Sequence, residues 1–165
     1  MFPLKVDFYI DGPVYELDLD KLKSLGIKGL ILDLDNTIML PKSAKFCSKV
    51  KAWLSQAQNH NLKIVIVSNN KNDFYLKQIT PIIDEFSIPI IFHAKKPRTK
   101  KMREAVSILD LDCEEICMIG DRVLTDVWAG KLMKMKTAIV KPLIGDSENS
   151  FFKVLRKLEY IFMQK

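Results

Sequence analysis

Cysteine, glycine, proline and long apolar runs are all scarce in this chain. Of 165 residues, three are cysteine, six glycine and seven proline. Three thiols cannot all pair, and Cys113 and Cys117 lack the second Cys or His pair that a zinc site needs. All three are expected to be reduced thiols of a cytosolic protein. So little glycine and proline excludes collagen and Gly/Pro low complexity. Apolar runs reach only about four or five residues, against the roughly 20 that cross a bilayer. Lys5, Asp7 and Asp11 break any apolar run at the start, so no signal peptide is expected.

What is present is an ordinary globular composition, 48% hydrophobic and 28% charged, which excludes a disordered chain. The length suits one domain, large enough to bury roughly 70% of its unfolded surface without disulfide staples. Its expected organisation is an N-terminal extension over 1–25, a core over 26–140 and a closing helix over 150–163. Lys and Arg exceed Asp and Glu by 26 to 20, a formal +6. That excess fits an anionic partner, and equally a charge that serves solubility.

Short β-rich runs alternate with helical spacing along the chain. Strands are expected at 29–35, 63–68, 88–93, 115–120 and 137–140. Helices are expected at 46–59, at 73–83 with Asn72 as cap, and at 99–109, 125–134 and 150–163. This alternation predicts an α/β fold around a central parallel sheet, its strands buried on both faces. Ligands in such sheets sit beyond the carboxyl ends of the strands.

Those ends carry the chemistry. The first strand runs into Asp33-Leu34-Asp35-Asn36-Thr37, the second into Ser68-Asn69-Asn70, the third into Lys95-Lys96-Pro97, and the fourth into Gly120-Asp121-Arg122 with Asp126 a turn later. Each alone is the stuff of turns and caps. All four in order, each after a strand, suit a divalent cation and a phosphoryl group. Mg²⁺ takes oxygen ligands and removes the repulsion between a carboxylate and a phosphate. Asp33 is ionised at neutral pH and can serve as ligand and nucleophile. Asp35, two residues on, can protonate the leaving oxygen and then activate water. Asp121 and Asp126 would hold the metal, Ser68 and nearby amides the phosphate oxygens, and Lys96 the negative charge.

These segments resemble the four motifs of the haloacid dehalogenase (HAD) phosphatase superfamily. More narrowly, Gly26 to Thr37, Val67 to Asn70 and Thr125-Asp126-Val127 resemble the YqeG family of subfamily IIIA, which includes mitochondrial-type phosphatidylglycerophosphatases. The resemblance implies a three-layer Rossmann-like fold and Mg²⁺ dependence. It implies Asp33 as nucleophile, Asp35 as acid/base, Ser68 and Lys96 on phosphate, and Asp121 and the Asp35 carbonyl on metal; Asn69 is a further expected phosphate contact, and Asp33 and Asp126 are further expected metal ligands. Arg122, Ala129-Gly130-Lys131 and Lys134 depart from the usual family pattern and bear on substrate identity rather than catalysis.

Only ten residues separate Asp35 from Phe46, too few for a cap domain. An uncapped site suits a bulky or membrane-presented substrate. The substrate that the resemblance implies, and that an open site suits, is phosphatidylglycerophosphate, held by its anionic headgroup. Peripheral contact with the inner face of a membrane has three candidate surfaces. One is the stripe Phe151, Leu155, Leu158 and Phe162, which also fits a helix packed on the sheet. Another is the N-terminal segment with Phe2, Phe8, Tyr9 and Tyr15. The third is the run 95–103 with six basic residues. Alternatives are a phosphatase of soluble sugar or nucleotide phosphates, and a non-catalytic RNA- or ribosome-binding protein. No aromatic–basic motif supports nucleic acid binding. A receiver-type regulatory domain fails because its acids follow the strands in another order. Oligomeric state is not encoded in any of these features.

Overall fold

The computed structural model describes residues 5–41 and 43–143, so the closing helix expected over 150–163 and Phe2 lie outside the described residues. Six strands form one sheet: β1 (Phe8–Tyr9), β2 (Gly29–Leu32), β3 (Lys63–Val67), β4 (Ile90–Ile91), β5 (Ile116–Gly120) and β6 (Lys136–Ile139). Their order is β1-β6-β5-β2-β3-β4, and every pairing is parallel. The helices are α1 (Leu19–Ser24), α2 (Ser48–Asn59), α3 (Asp73–Asp84), α4 (Lys100–Leu109) and α5 (Trp128–Leu132).

Successive side chains on a strand point to opposite faces, so each strand feeds two cores. Leu30 and Leu32 of β2, Ile64 and Ile66 of β3 and Cys117 and Ile119 of β5 pack with α1, α2 and α3. Ile31, Val65, Val67 and Met118 face the other way, onto Met102, Ala105 and Leu109 of α4 and Ala129 of α5. The result is the expected three-layer α/β architecture. Burial of both faces explains why these strands lack polar alternation.

Two expectations need correction. The helix expected over 125–134 begins as a π-helical turn, Val123–Val127, before α5. Arg122 N–H donates to Asp126 Oδ2 at 3.1 Å, and Val127 N–H reaches back to Arg122 O at 3.3 Å, widening the turn. The strand expected over 88–93 shrinks to Ile90–Ile91. Pro89 has no N–H to donate, and His93 turns off at φ +54°. Within the N-terminal segment, residues 5–25 carry β1 and α1. Asp18 caps α1 through Lys21 N–H at 3.1 Å, and β1 closes the sheet edge beside β6.

Asp7 fixes that edge. It accepts Thr137 N–H at 2.8 Å and pairs with Lys131 Nζ at 2.5 Å. Burial alone would raise its pKa, but the bonds from Lys131 and Thr137 outweigh burial and hold it below the usual value.

Candidate active site

The chain runs outward from β2 to β4, then returns to place β5 on the other side of β2. The crevice between β2 and β5 is thus the switch point of the sheet, where an open α/β fold leaves room for a ligand. Asp33 leaves β2 there, its N–H still paired to Ile119 O at 2.9 Å. Asp121 leaves β5 opposite, and Asp126 comes back from the π-helical turn. Carboxylate oxygens of these three residues lie within 4.8 Å of one another. Gly120 makes room for them, because a Cβ there would sit 2.3 Å from Asp126 Oδ2.

Lys96 closes the cluster from beneath. Its side chain is 1% exposed, and Nζ lies 2.6 Å from Asp33 Oδ1, 2.8 Å from Asp126 Oδ1 and 2.7 Å from Val67 O. An ammonium has three hydrogens, and here three acceptors surround it. Burial would lower the Lys96 pKa, but Asp126 and Asp33 outweigh burial and hold it above the normal value. Burial likewise pushes Asp33 up, to about 7; Lys96 opposes this, while the charges of Asp126 and Asp35 add to it. Thr37 Oγ1 donates to Asp33 Oδ2 at 3.2 Å.

Asp33 and Asp126 share one ammonium, with the Asp121 carboxylate beside them, where burial penalises charge. The donor set is oxygen only. Both features fit a hard divalent cation. Asp35's carboxylate stands outside the three, so its contribution to such a cation would come from its backbone carbonyl, as the family resemblance implies.

On the other flank, Asp35 Oδ2 accepts Asn70 Nδ2 at 2.9 Å, and Asp35 Oδ1 is buried without a hydrogen-bond partner. The hydroxyl of Tyr75 rests on Met39 Sδ at 3.3 Å. Burial, then the neighbouring Asp35 charge, holds that phenol well above its usual pKa. The chain between Asp35 and Met39 is a tight turn, with Asn36 at φ +67° and its N–H on Met39 O at 2.8 Å. Asparagine tolerates that conformation better than most residues. Among the described residues, no further domain fills the link from β2 to α2, and β3 and β4 are joined through α3 alone.

The fold thus gathers Asp33, Asp35, Ser68, Lys96, Asp121 and Asp126. Ser68 is buried, with Oγ accepting Asn70 N–H at 3.0 Å. Asn69, expected on phosphate, engages the Lys96 backbone with its side-chain amide. Its amide donates to Lys96 O at 3.1 Å and accepts Lys96 N–H at 2.7 Å, which clamps the Lys96 loop to the end of β3. Nor does Lys96 belong to the basic face of 95–103, since it points into the cluster. Asn70 was the residue sequence reasoning passed over. Its place beside Ser68 was visible, but its contact with Asp35, 35 residues away, was not.

The family model described as mitochondrial PGP phosphatase matches residues 6–144. The probable phosphatase YqeG of Bacillus subtilis is 30% identical over 146 residues, covering 88% of this chain and 82% of that protein. A mitochondrial phosphatidylglycerophosphatase of Saccharomyces cerevisiae is 28% identical, covering 80% of this chain and 76% of its own. The chain spans 58% of a chloroplastic phosphatidylglycerophosphate phosphatase of Chlamydomonas reinhardtii, at 26% identity over 92% of this chain. Among solved structures, a putative HAD-like phosphatase of Mesorhizobium loti superposes with TM-score 0.55 at 13% identity, covering 97% of this chain and 91% of its own. The cobalt-bound deoxy-D-mannose-octulosonate 8-phosphate phosphatase of Haemophilus influenzae gives TM-score 0.53 at 14% identity, covering 88% of this chain and 92% of its own. Similarity at that level speaks for the fold. The family match over most of the chain and the identity to YqeG go further: this chain belongs to the mitochondrial PGP phosphatase family and is a phosphatase of the HAD fold.

Proposed function

We propose that this phosphatase is a Mg²⁺-dependent phosphomonoesterase that acts through an aspartyl-phosphate on Asp33 and converts phosphatidylglycerophosphate to phosphatidylglycerol. The observation that carries the chemistry is the buried Lys96 ammonium between Asp33 and Asp126, with Asp121 alongside at the switch point. Asp33, Asp121 and Asp126, with the Asp35 carbonyl, would hold Mg²⁺, which supplies the positive charge that lets carboxylate and phosphate meet.

One Asp33 oxygen attacks phosphorus. The ester P–O bond breaks, and the alcohol oxygen leaves with a proton from Asp35. Water then attacks the phosphorus of the acyl phosphate and gives its proton to Asp35. The Asp33 carboxylate is restored and inorganic phosphate departs. Lys96 stabilises negative charge on Asp33 from a fixed position, and the Ser68 hydroxyl donates to a phosphate oxygen.

Two observations support a lipid substrate at a membrane surface. Two relatives bear that activity in their names. Among the described residues no domain covers the mouth, and exposed apolar and basic groups lie on the adjoining segments. Phe74, in the first turn of α3, is 73% exposed, and Leu40, Lys71 and Lys95 are exposed on the adjoining loops. An aromatic wedge with lysines suits an anionic interface. No helix among the described residues is long and apolar enough to cross a membrane.

The test is phosphate release from phosphatidylglycerophosphate in mixed micelles, with Mg²⁺ and with EDTA, beside soluble sugar and nucleotide phosphates. Release from the lipid that needs Mg²⁺ and disappears in Asp33→Asn is the expected result. Release from soluble esters alone would remove the lipid assignment and leave the mechanism.

A further inference from the structure

Lys96 turns inward, but the cations around it do not. Lys95, Arg98, Lys100 and Arg103 are exposed, and Lys101 is half-buried. Lys101 Nζ meets Glu104 Oε2 at 2.6 Å, while the other four have no ion pair among the described residues. The sequence offers no acid between Glu85 and Glu104.

The fold gains nothing from this charge. Lys100, Lys101 and Arg103 stand in the first turn of α4, where no acid and no side-chain cap offsets them. A helix start carries partial positive charge, so cations there work against the helix.

Their place in the fold is informative. α4 follows β4 and runs back to the start of β5, so its first turn lies at the carboxyl edge of the sheet. The catalytic cluster lies at that edge too, and Lys96, four residues before Lys100, reaches into it. α3 follows β3 in the same way, which brings the exposed Phe74 to the same edge. The two helices cover opposite faces of the sheet. Leu76, Ile79 and Ile83 of α3 pack in one core, and Met102, Ala105 and Leu109 of α4 in the other. A flat surface laid across this edge would meet Phe74 on one side of the sheet and the α4 cations on the other. Asp73, the acid beside Phe74, is already engaged by His93 Nε2 at 3.2 Å.

We propose that Arg98, Lys100 and Arg103 form an electrostatic anchor for a bilayer containing anionic phospholipid, which the protein meets with the carboxyl edge of its sheet. The choice of a bilayer over an acidic protein rests on the reading of a lipid substrate. An exposed aromatic ring at the same edge as unpaired cations is what an anionic bilayer accommodates. The anchor takes no part in the chemistry. It concentrates the protein at the surface and fixes which edge faces the lipid.

The test compares wild type with the double variant Lys100→Ala, Arg103→Ala and with a control, Lys23→Ala, Lys28→Ala. The control removes the same charge at the opposite end of the strands, from the last turn of α1 and the residue before β2. Binding is read by co-sedimentation with vesicles of phosphatidylcholine alone or with about 30% phosphatidylserine, at about 50 and 300 mM NaCl. Melting temperature and hydrolysis of p-nitrophenyl phosphate are recorded for all three proteins.

Wild type should bind the anionic vesicles, more weakly in high salt, and leave the neutral ones in solution. Each cation near an anionic surface contributes about fivefold, so the anchor variant should bind about 25-fold more weakly and the control within about threefold of wild type. Aryl phosphate hydrolysis should be unchanged. The anchor variant should melt no lower than wild type, because its lost cations opposed the helix. Absence of wild-type binding, undiminished binding by the anchor variant, or an equal loss in the control would overturn the proposal. Tighter binding of a single-stranded RNA through the same two residues would overturn it in favour of a nucleic acid surface. Hydrolysis of phosphatidylglycerophosphate in neutral detergent micelles judges the substrate separately. Hydrolysis there without vesicle binding refutes the anchor alone. Inert micellar lipid beside vesicle binding that the anchor variant loses refutes the substrate and upholds the anchor.

Discussion

Replacing Lys96 by methionine tests the electrostatics of the cluster most directly. The substitution keeps the length of the stem and removes the ammonium that binds Asp33, Asp126 and Val67 O. The side chains of Lys96 and Asp126 are each 1% exposed and that of Asp33 12%, so water cannot replace the lost donor cheaply. Breaking a buried ion pair by removing one partner costs about 3–5 kcal/mol. For a chain of this size each kcal/mol moves the melting temperature by about 2–4 °C, so the metal-free variant should melt roughly 6–20 °C lower. A divalent cation should repair part of this loss. With the ammonium gone, Asp33 and Asp126 lose the cation they share, and whatever binds the native state alone adds stability by mass action. The assay is thermal unfolding followed by circular dichroism, in EDTA and across a Mg²⁺ titration. Lys96→Met should melt lower in EDTA and gain more from Mg²⁺ than the wild type does. A variant melting within about 2 °C of wild type in EDTA would refute the reasoning, because Asp33 and Asp126 cannot lose the buried cation that bridges them without cost.

Further predictions concern the same cluster and its surroundings. In EDTA, Asp33 binds its proton up to about pH 7 when folded but only to about 3.8 when unfolded. The folded state then holds more protons across that window, so stability should fall as pH rises from about 4 to 7. Asp33→Asn should flatten that slope in urea titrations. Gly120→Ala would press a methyl against Asp126 and should lower divalent-cation affinity as read by calorimetry. Asp7→Asn should loosen β1 from β6, costing about 1–2 kcal/mol and speeding amide exchange at Phe8 and Tyr9. Phe74→Ala should weaken binding to anionic vesicles while sparing hydrolysis of a soluble aryl phosphate; equal vesicle binding would count against the interfacial mouth.

Where a residue's role follows from its neighbours in the chain, the sequence was informative. Leu30 to Leu32, Ile64 to Val67 and Ile116 to Ile119 read as buried strands because they are apolar without alternation, and the acids after them could only fall at the carboxyl edge. Asn72 was readable as a cap from its place before Asp73. Roles set by distant partners were hidden. Phe8–Tyr9 is too short to show a period, and what makes it a strand is Asp7 meeting Thr137 and Lys131 more than a hundred residues on. The same holds for Asn69, whose amide is drawn to Lys96 by the folded loop. Spacing could not separate Lys96 from its basic neighbours. Only the hole between Asp33 and Asp126 does that.

Among the described residues, both margins of the sheet are two residues long: Phe8–Tyr9 at one side and Ile90–Ile91 at the other. A strand offered by a second molecule would find almost no ladder to extend on either flank, and on one of them Pro89 withholds an N–H. Long, apolar, unpaired edges are where β-proteins add foreign strands and aggregate. Here the most apolar strands, β2, β3 and β5, lie in the interior with partners on both sides. The chain can therefore keep a sheet of uninterrupted Ile, Leu and Val through its middle without offering that sheet as a template for its own precipitation.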